Sequence, residues 1–170
     1  DESGHHLYED GDVLINVYDQ SGVQTPFRAH KLLLASRSDF FKNMFKSGSE
    51  WSENLQGVEI RDEDPERFRL FLDWIYEKDG RHFDASNLDQ IMIICDRYLC
   101  DGIRQTCRDL ARFLPATKEL LRIAFEHDLG QQQRARLAVW AVQQEDITRS
   151  DVYGHLADYI KSNAELCHPV

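Results

Sequence analysis

The 170-residue chain is 42% hydrophobic and 11% aromatic, and a chain of this size removes about 70% of its unfolded surface from water, so a packed core is expected and intrinsic disorder is excluded. With 30 acidic residues against 20 basic ones, the formal net charge is −10, which excludes nucleic acid and anionic membrane surfaces as partners because both demand a dense Lys/Arg face. No apolar stretch approaches the roughly 20 residues that span a bilayer.

Residues 1–11 are polar and read as a flexible lead-in. The β-branched run Asp12–Tyr18 predicts a strand. Ser21-Gly22 supplies turn chemistry, and Val23–His30 predicts a second strand that closes a hairpin. Pro26 lies inside this second strand, which places it at a sheet edge or strand end. Lys31–Ala35 begins a helix. Ser38 can cap the next one, Asp39–Phe45. Residues 46–56 read as a loop, and Gly57–Arg61 alternates like a strand.

Asp64-Pro65 is a helix start, since Pro at the first helical position gives up an N–H that has no partner there. That helix runs to about Tyr76 and puts Phe68, Phe71, Leu72 and Ile75 on one face. Ser86-Asn87-Leu88-Asp89 resembles a capping box, after which Ile91, Ile94, Cys95 and Tyr98 recur at helical spacing. A further helix covers about 102–113. Beyond Pro115, helices are predicted over Lys118–His127, Gln131–Gln144 and Asp151–Asn163, the last capped by Ser150. The last two should bury Leu137, Val139, Trp140 and Ala141, and then Val152, Leu156, Tyr159 and Ile160.

Catalytic patterns are missing from the sequence. The nine glycines are scattered, so there is no Gly-rich phosphate cradle. His-Glu-x-x-His and Gly-x-Ser-x-Gly do not occur. The four cysteines form no Cys-x-x-Cys pair, and no His pair stands at zinc spacing; no metal or cofactor is expected. Cys95 sits in an apolar run and reads as core. Cys167-His168 lies in a tail with nothing to shape a pocket. Thiols at these spacings in a chain of this size predict a reducing compartment, cytosol or nucleus. His30 reads as a half-buried residue bonded to backbone where strand meets helix, with Asp12 paired to Lys31 to pin that corner. Glu63-Asp64 reads as turn and cap. Trp51 sits in a polar loop, where it either tucks back onto its own domain or stands out as an anchor, a use to which Trp is well suited.

The stretch from Pro26 to Phe45, with Phe27-Arg28-Ala29-His30-Lys31, then Leu32-Leu33-Leu34-Ala35-Ser36-Arg37-Ser38, then Phe40/Phe41 and Met44-Phe45, resembles the signature of the BTB/POZ family. Further blocks follow in order: Val58-Glu59-Ile60, Asp64-Pro65 through Trp74-Ile75-Tyr76, and Ile94-Cys95-Asp96-Arg97-Tyr98-Leu99. The resemblance covers residues 12–113. It implies an α+β fold, a small, mostly three-stranded sheet with helical hairpins, followed by extra α-helices; residues 114–170 resemble a BACK-like helical extension and tail.

The resemblance also implies a non-catalytic protein-interaction module. Many such relatives recruit client proteins to a cullin-three ubiquitin ligase. These adaptors carry a hydrophobic residue, any residue, then Glu, after the Met-Phe helix, and Trp51-Ser52-Glu53 fits that pattern, with Phe45 and Tyr98 on the flanking elements. Phe45, Trp51, Glu53 and Tyr98 are therefore the expected interface residues. The expected partners are a cullin-three type scaffold, an unidentified client and a second copy of the chain. The other reading is a dimerisation or scaffolding module without cullin binding.

Overall fold

The computed structural model describes residues 10–46, 57–77, 83–144 and 152–162. Backbone contacts divide the chain into two units, one made of residues 1–82 and 93–104, the other of 83–92 and 105–170.

The first unit begins with the predicted hairpin. Strands β1 (Val13–Tyr18) and β2 (Gln24–Ala29) run antiparallel, with Val13 opposite Ala29 and Tyr18 opposite Gln24. Asp19 builds the turn: its Oδ1 accepts from the N–H of Ser21 at 2.8 Å and of Val23 at 2.9 Å. The Ser21 hydroxyl, which donates to the same oxygen at 2.7 Å, and then the Val23 N–H hold the Asp19 carboxyl below its ordinary range. Strand β3 (Val58–Arg61) then pairs with β1, in parallel, giving the order β2-β1-β3. Pro26 thus lies on an outer strand, where its missing N–H breaks no ladder. Val13, Ile15 and Val17 of the central strand are buried, as period-two alternation requires.

Helices α1 (Lys31–Arg37) and α2 (Asp39–Met44) are separated by Ser38. Helix α3 (Pro65–Ile75) starts as predicted: the Asp64 side chain accepts from Glu66 N–H at 2.9 Å, and Pro65 occupies the first turn. Phe68, Phe71, Leu72 and Ile75 are all buried, joined by Trp74.

Helices α4 (Ala85–Arg97) and α5 (Asp101–Ala111) follow. The cap of α4 is not Ser86, as the sequence suggested, but Asp84. Asp84 Oδ1 accepts from the N–H groups of Ser86 at 2.8 Å and Asn87 at 3.1 Å, and Asn87 Oδ1 accepts from Asp84 N–H at 3.2 Å. The box is therefore Asp84 with Asn87, reciprocal in the same sense but two residues earlier. Asp89 is released for another role described below.

In the second unit, α6 (Lys118–Glu126) packs against α7 (Gln131–Val142) and α8 (Val152–Ser162). Thr117 caps α6 by accepting from Leu120 N–H at 3.1 Å. Leu120, Leu121, Ile123 and Ala124 of α6 are buried, as are Leu137, Ala138 and Ala141 of α7. The stripe of α7 is rotated from the one expected: Val139 and Trp140 are half-buried and Gln133 lies inside. Leu156 of α8 is buried, and Phe125 meets Tyr159 edge-on at 5.4 Å. Arg136 donates to the carbonyls of Leu114 and Ala111 at 3.1 and 3.3 Å, bracing the turn that follows α5. The Ser150 cap, and the side chains of Val152 and Ile160, lie outside the described residues. Among the described residues no helix is long and apolar enough to cross a membrane.

Candidate protein-interaction surface

The first unit joins strand to helix through two side chains. Asp12 Oδ1 accepts from the backbone N–H of Lys31 at 2.7 Å. Asp12 therefore pins the corner as expected, but through the peptide at the start of α1 and not through the Lys31 ammonium. That ammonium lies 5.8 Å from the centre of the Phe45 ring, within cation–π range. His30 is half-buried as predicted, yet its ring nitrogen Nδ1 meets the Tyr76 hydroxyl at 2.9 Å, and the same hydroxyl accepts from His30 N–H at 2.8 Å. A phenol stands where a backbone group was expected. Burial raises the Tyr76 pKa, so the hydroxyl keeps its proton.

Ser38 connects this corner to α4. Its Oγ accepts from Phe41 N–H at 3.2 Å, capping α2, and donates to the Tyr98 carbonyl at 2.6 Å. One residue on, Asp39 N–H donates to the Leu99 carbonyl at 3.2 Å. Leu99 lies just past α4 with φ of 52°, a left-handed conformation that costs a branched residue about 1–2 kcal/mol. Cys100 N–H donates back to the Cys95 carbonyl at 3.0 Å, closing the helix end around it. The Leu99 side chain is 50% exposed. A strained backbone thus presents an apolar group to solvent beside α2, where Asp39, Lys42 and Asn43 are exposed and Phe40, Met44 and Phe45 are half-buried.

Beneath this rim is an aromatic floor. Phe41 stacks on Phe71 at 5.8 Å and Phe71 on Tyr98 at 4.7 Å, while Phe68 meets Tyr98 edge-on. Tyr98 is 1% exposed, so it supports the rim from inside and presents no surface of its own. Its hydroxyl donates to Glu63 Oε2 at 2.8 Å. Glu63 sits in the turn before α3, as expected, but as a buried carboxylate, 1% exposed. Arg67 Nε lies 2.7 Å from its Oε1 and Arg97 Nε 3.1 Å from its Oε2, and Asp64 N–H donates to Oε1 at 3.0 Å. Two guanidinium groups and two further donors make burial of this charge tolerable. Desolvation, and the neighbouring Glu63 charge, raise the Tyr98 phenol far above its usual pKa. The i,i+4 spacing of Glu63 and Arg67 was readable as a helix-start pair; nothing local marks Arg97 or Tyr98 as its distant partners.

Of the four expected interface residues, Phe45 is half-buried at the end of α2, stacked on Phe41 at 5.8 Å, and Tyr98 lies under it in the core. Trp51 and Glu53 lie outside the described residues. The Ser38 hydroxyl is committed to a carbonyl, and burial pushes the Cys100 and Cys107 thiols up to about 12, far from the thiolate form that attacks.

A small mixed sheet with a strand–helix corner and a rim stiffened from below defines a protein-interaction module. Residues 5–113 match the BTB/POZ domain family, and the chain belongs to it. It is similar to TD and POZ domain-containing protein 5 of Mus musculus, 34% identical over 85 residues, covering 49% of this chain and 24% of that protein. It is similar also to TD and POZ domain-containing protein 4 of the same species, 35% identical over 85 residues, covering 49% of this chain and 22% of that one. GDNF-inducible zinc finger protein 1 of Mus musculus is 27% identical over 101 residues, 59% of this chain and 14% of that protein. The matched stretch therefore spans a quarter or less of each of these curated relatives.

Proposed function

We propose that this domain is an adaptor that links a client protein to a cullin-three type scaffold of a RING ubiquitin ligase, in cytosol or nucleus. The observation that carries the reading is Leu99, an apolar side chain held half-exposed by a left-handed backbone and tied through its carbonyl to the start of α2. Strain kept at an exposed apolar position points to use, because a glycine there would relieve it. The rim around it mixes an apolar centre with charged edges, the composition of a hot spot. Trp51-Ser52-Glu53 follows α2 in sequence and supplies the apolar anchor and carboxylate that the family resemblance implies. The carboxylate would meet a helix N-terminus or a basic side chain of the scaffold. On the same reading, α6–α8 form a BACK-like extension that carries the client-binding part of the protein.

The test is binding of the full chain to the cullin-three N-terminal region by calorimetry, beside Leu99→Glu, Trp51→Ala and Glu53→Lys. Each variant should weaken binding at least tenfold with little change in melting temperature. Wild-type affinity in all three would overturn the proposal. The second reading is a dimerising scaffold without cullin contact. It predicts a concentration-dependent dimer in sedimentation and no cullin binding.

A further inference from the structure

The second unit gathers a nitrogen donor and two carboxylates that the interaction surface does not use. Asp89 lies in α4, Glu126 ends α6, and His127 follows it. One ligand atom from each falls within 4.8 Å of the others. Neighbouring residues on a helix normally diverge. Here His127 leaves the helix with extended backbone, φ −118° and ψ 152°, which brings its ring round to the side of Glu126. His127 Nε2 lies 3.0 Å from Asp89 Oδ1, close to the spacing of two donors sharing one tetrahedral ion with bonds of about 2.0–2.1 Å.

Arg122 orients the carboxylates. It reaches Asp89 through Oδ2 at 3.2 Å and Glu126 through Oε2, which leaves Asp89 Oδ1 to His127 Nε2 at 3.0 Å, where a cation would take the place of the shared proton. Its Nη2 is also 2.6 Å from Glu119. Asp89, Glu119 and Glu126 against the one guanidinium leave two net negative charges when the imidazole is neutral. A divalent ion balances that charge, and a second arginine does not. The half-buried position of Asp89 and His127, with 21% and 12% of their side chains exposed, removes them in part from competing water.

We propose that Asp89, Glu126 and His127 form a binding site for a zinc-class divalent cation, with Arg122 holding the two carboxylates in position. An imidazole in the set selects zinc and its neighbours over magnesium and calcium, which prefer oxygen alone. Three protein donors leave a fourth position for water or for a side chain of a bound partner. The site would brace α4 against the end of α6 when the metal is present.

The experiment titrates the full chain, metal-stripped, with zinc chloride and follows the side-chain nitrogens of histidine by NMR, with Cys167→Ser/His168→Ala as background so that the tail does not bind the metal. The expected result is a saturable shift of the His127 Nε2 signal. Affinity should fall about tenfold or more in Glu126→Gln, whose side chain is half-exposed and whose loss leaves the fold intact. Asp89→Asn should abolish the shift. No movement of His127 Nε2 at millimolar zinc, or an equal response to magnesium, would overturn the proposal, as would unchanged affinity in Glu126→Gln.

Discussion

The hydroxyl of Tyr98 donates to Glu63 Oε2 across 35 positions of sequence, and neither side chain reaches solvent. The bond joins the end of α4 to the turn before α3, and Ser38 extends the same link to α2. Removing the hydroxyl leaves Glu63 with one donor fewer in a place water cannot fill, so Tyr98→Phe should cost about 1–3 kcal/mol. Glu63→Ala takes the shared carboxylate from Arg67, Arg97 and Tyr98 at once, and should cost more than Tyr98→Phe even though Arg97 keeps its bonds to the Arg61 and Asp62 carbonyls. Guanidinium melts of the two variants give the comparison; equal and negligible losses would mean the network contributes nothing net.

Leu99→Gly separates strain from function. It removes the left-handed penalty and should raise stability by up to about 1 kcal/mol. It also deletes the exposed side chain, so partner binding should weaken. A chain both more stable and less able to bind is the expected pair of outcomes, read by a thermal melt and by calorimetry.

Burial raises the thiols of Cys100 and Cys107 from 9.0 to about 12. Between those values the unfolded chain has lost protons that the folded chain keeps. Stability is therefore full below about pH 9 and falls as pH climbs from there to 12. Urea midpoints at pH 8 and pH 10 should show the drop, with a shallower slope in Cys100→Ala/Cys107→Ala whatever that variant's absolute stability. Alkylation by iodoacetamide at pH 8, followed residue by residue with mass spectrometry, should spare both in the native protein.

The displaced capping box gives a paired test. Asp84→Ala should cost about 1–2 kcal/mol, whereas Ser86→Ala, inside the first turn, should cost only a few tenths. If Ser86 proved the more sensitive position, the assignment of the α4 start would be wrong.

Gly57 precedes β3 with φ of 93°, and a Cβ there would stand 2.8 Å from the Leu14 carbonyl oxygen. Gly57→Ala should destabilise by about 2 kcal/mol through backbone strain and clash. The loss should appear as a lowered urea midpoint with an unchanged slope.

The elements whose causes are local were legible in the chain. Alternating β-branched residues announced β1, Asp64-Pro65 announced α3, and Pro26 announced a sheet edge or a strand end, of which the structure shows the edge. What escaped depends on partners far away in sequence. Glu63 looks like any acidic turn residue until Arg97 and Tyr98 arrive from α4. Leu99 shows no glycine to mark its left-handed backbone. Asp84 and Ser86 are both good caps, and only the register of α4 chooses between them. Asp89 meets His127 only because α6 stops at Glu126.

The pairing of β1 with β3 is parallel, and β2, α1 and α2 intervene between them. The hairpin can zip up early from contacts near in sequence, but the third strand joins only after a long loop has closed. Glu63 and Tyr98 come later still. Assembly of the sheet and sealing of the charge beneath it should thus be the slow phase of folding, and a nascent chain that stops before α3 would carry a completed hairpin without the Phe68 that packs on Phe27 of its hydrophobic face.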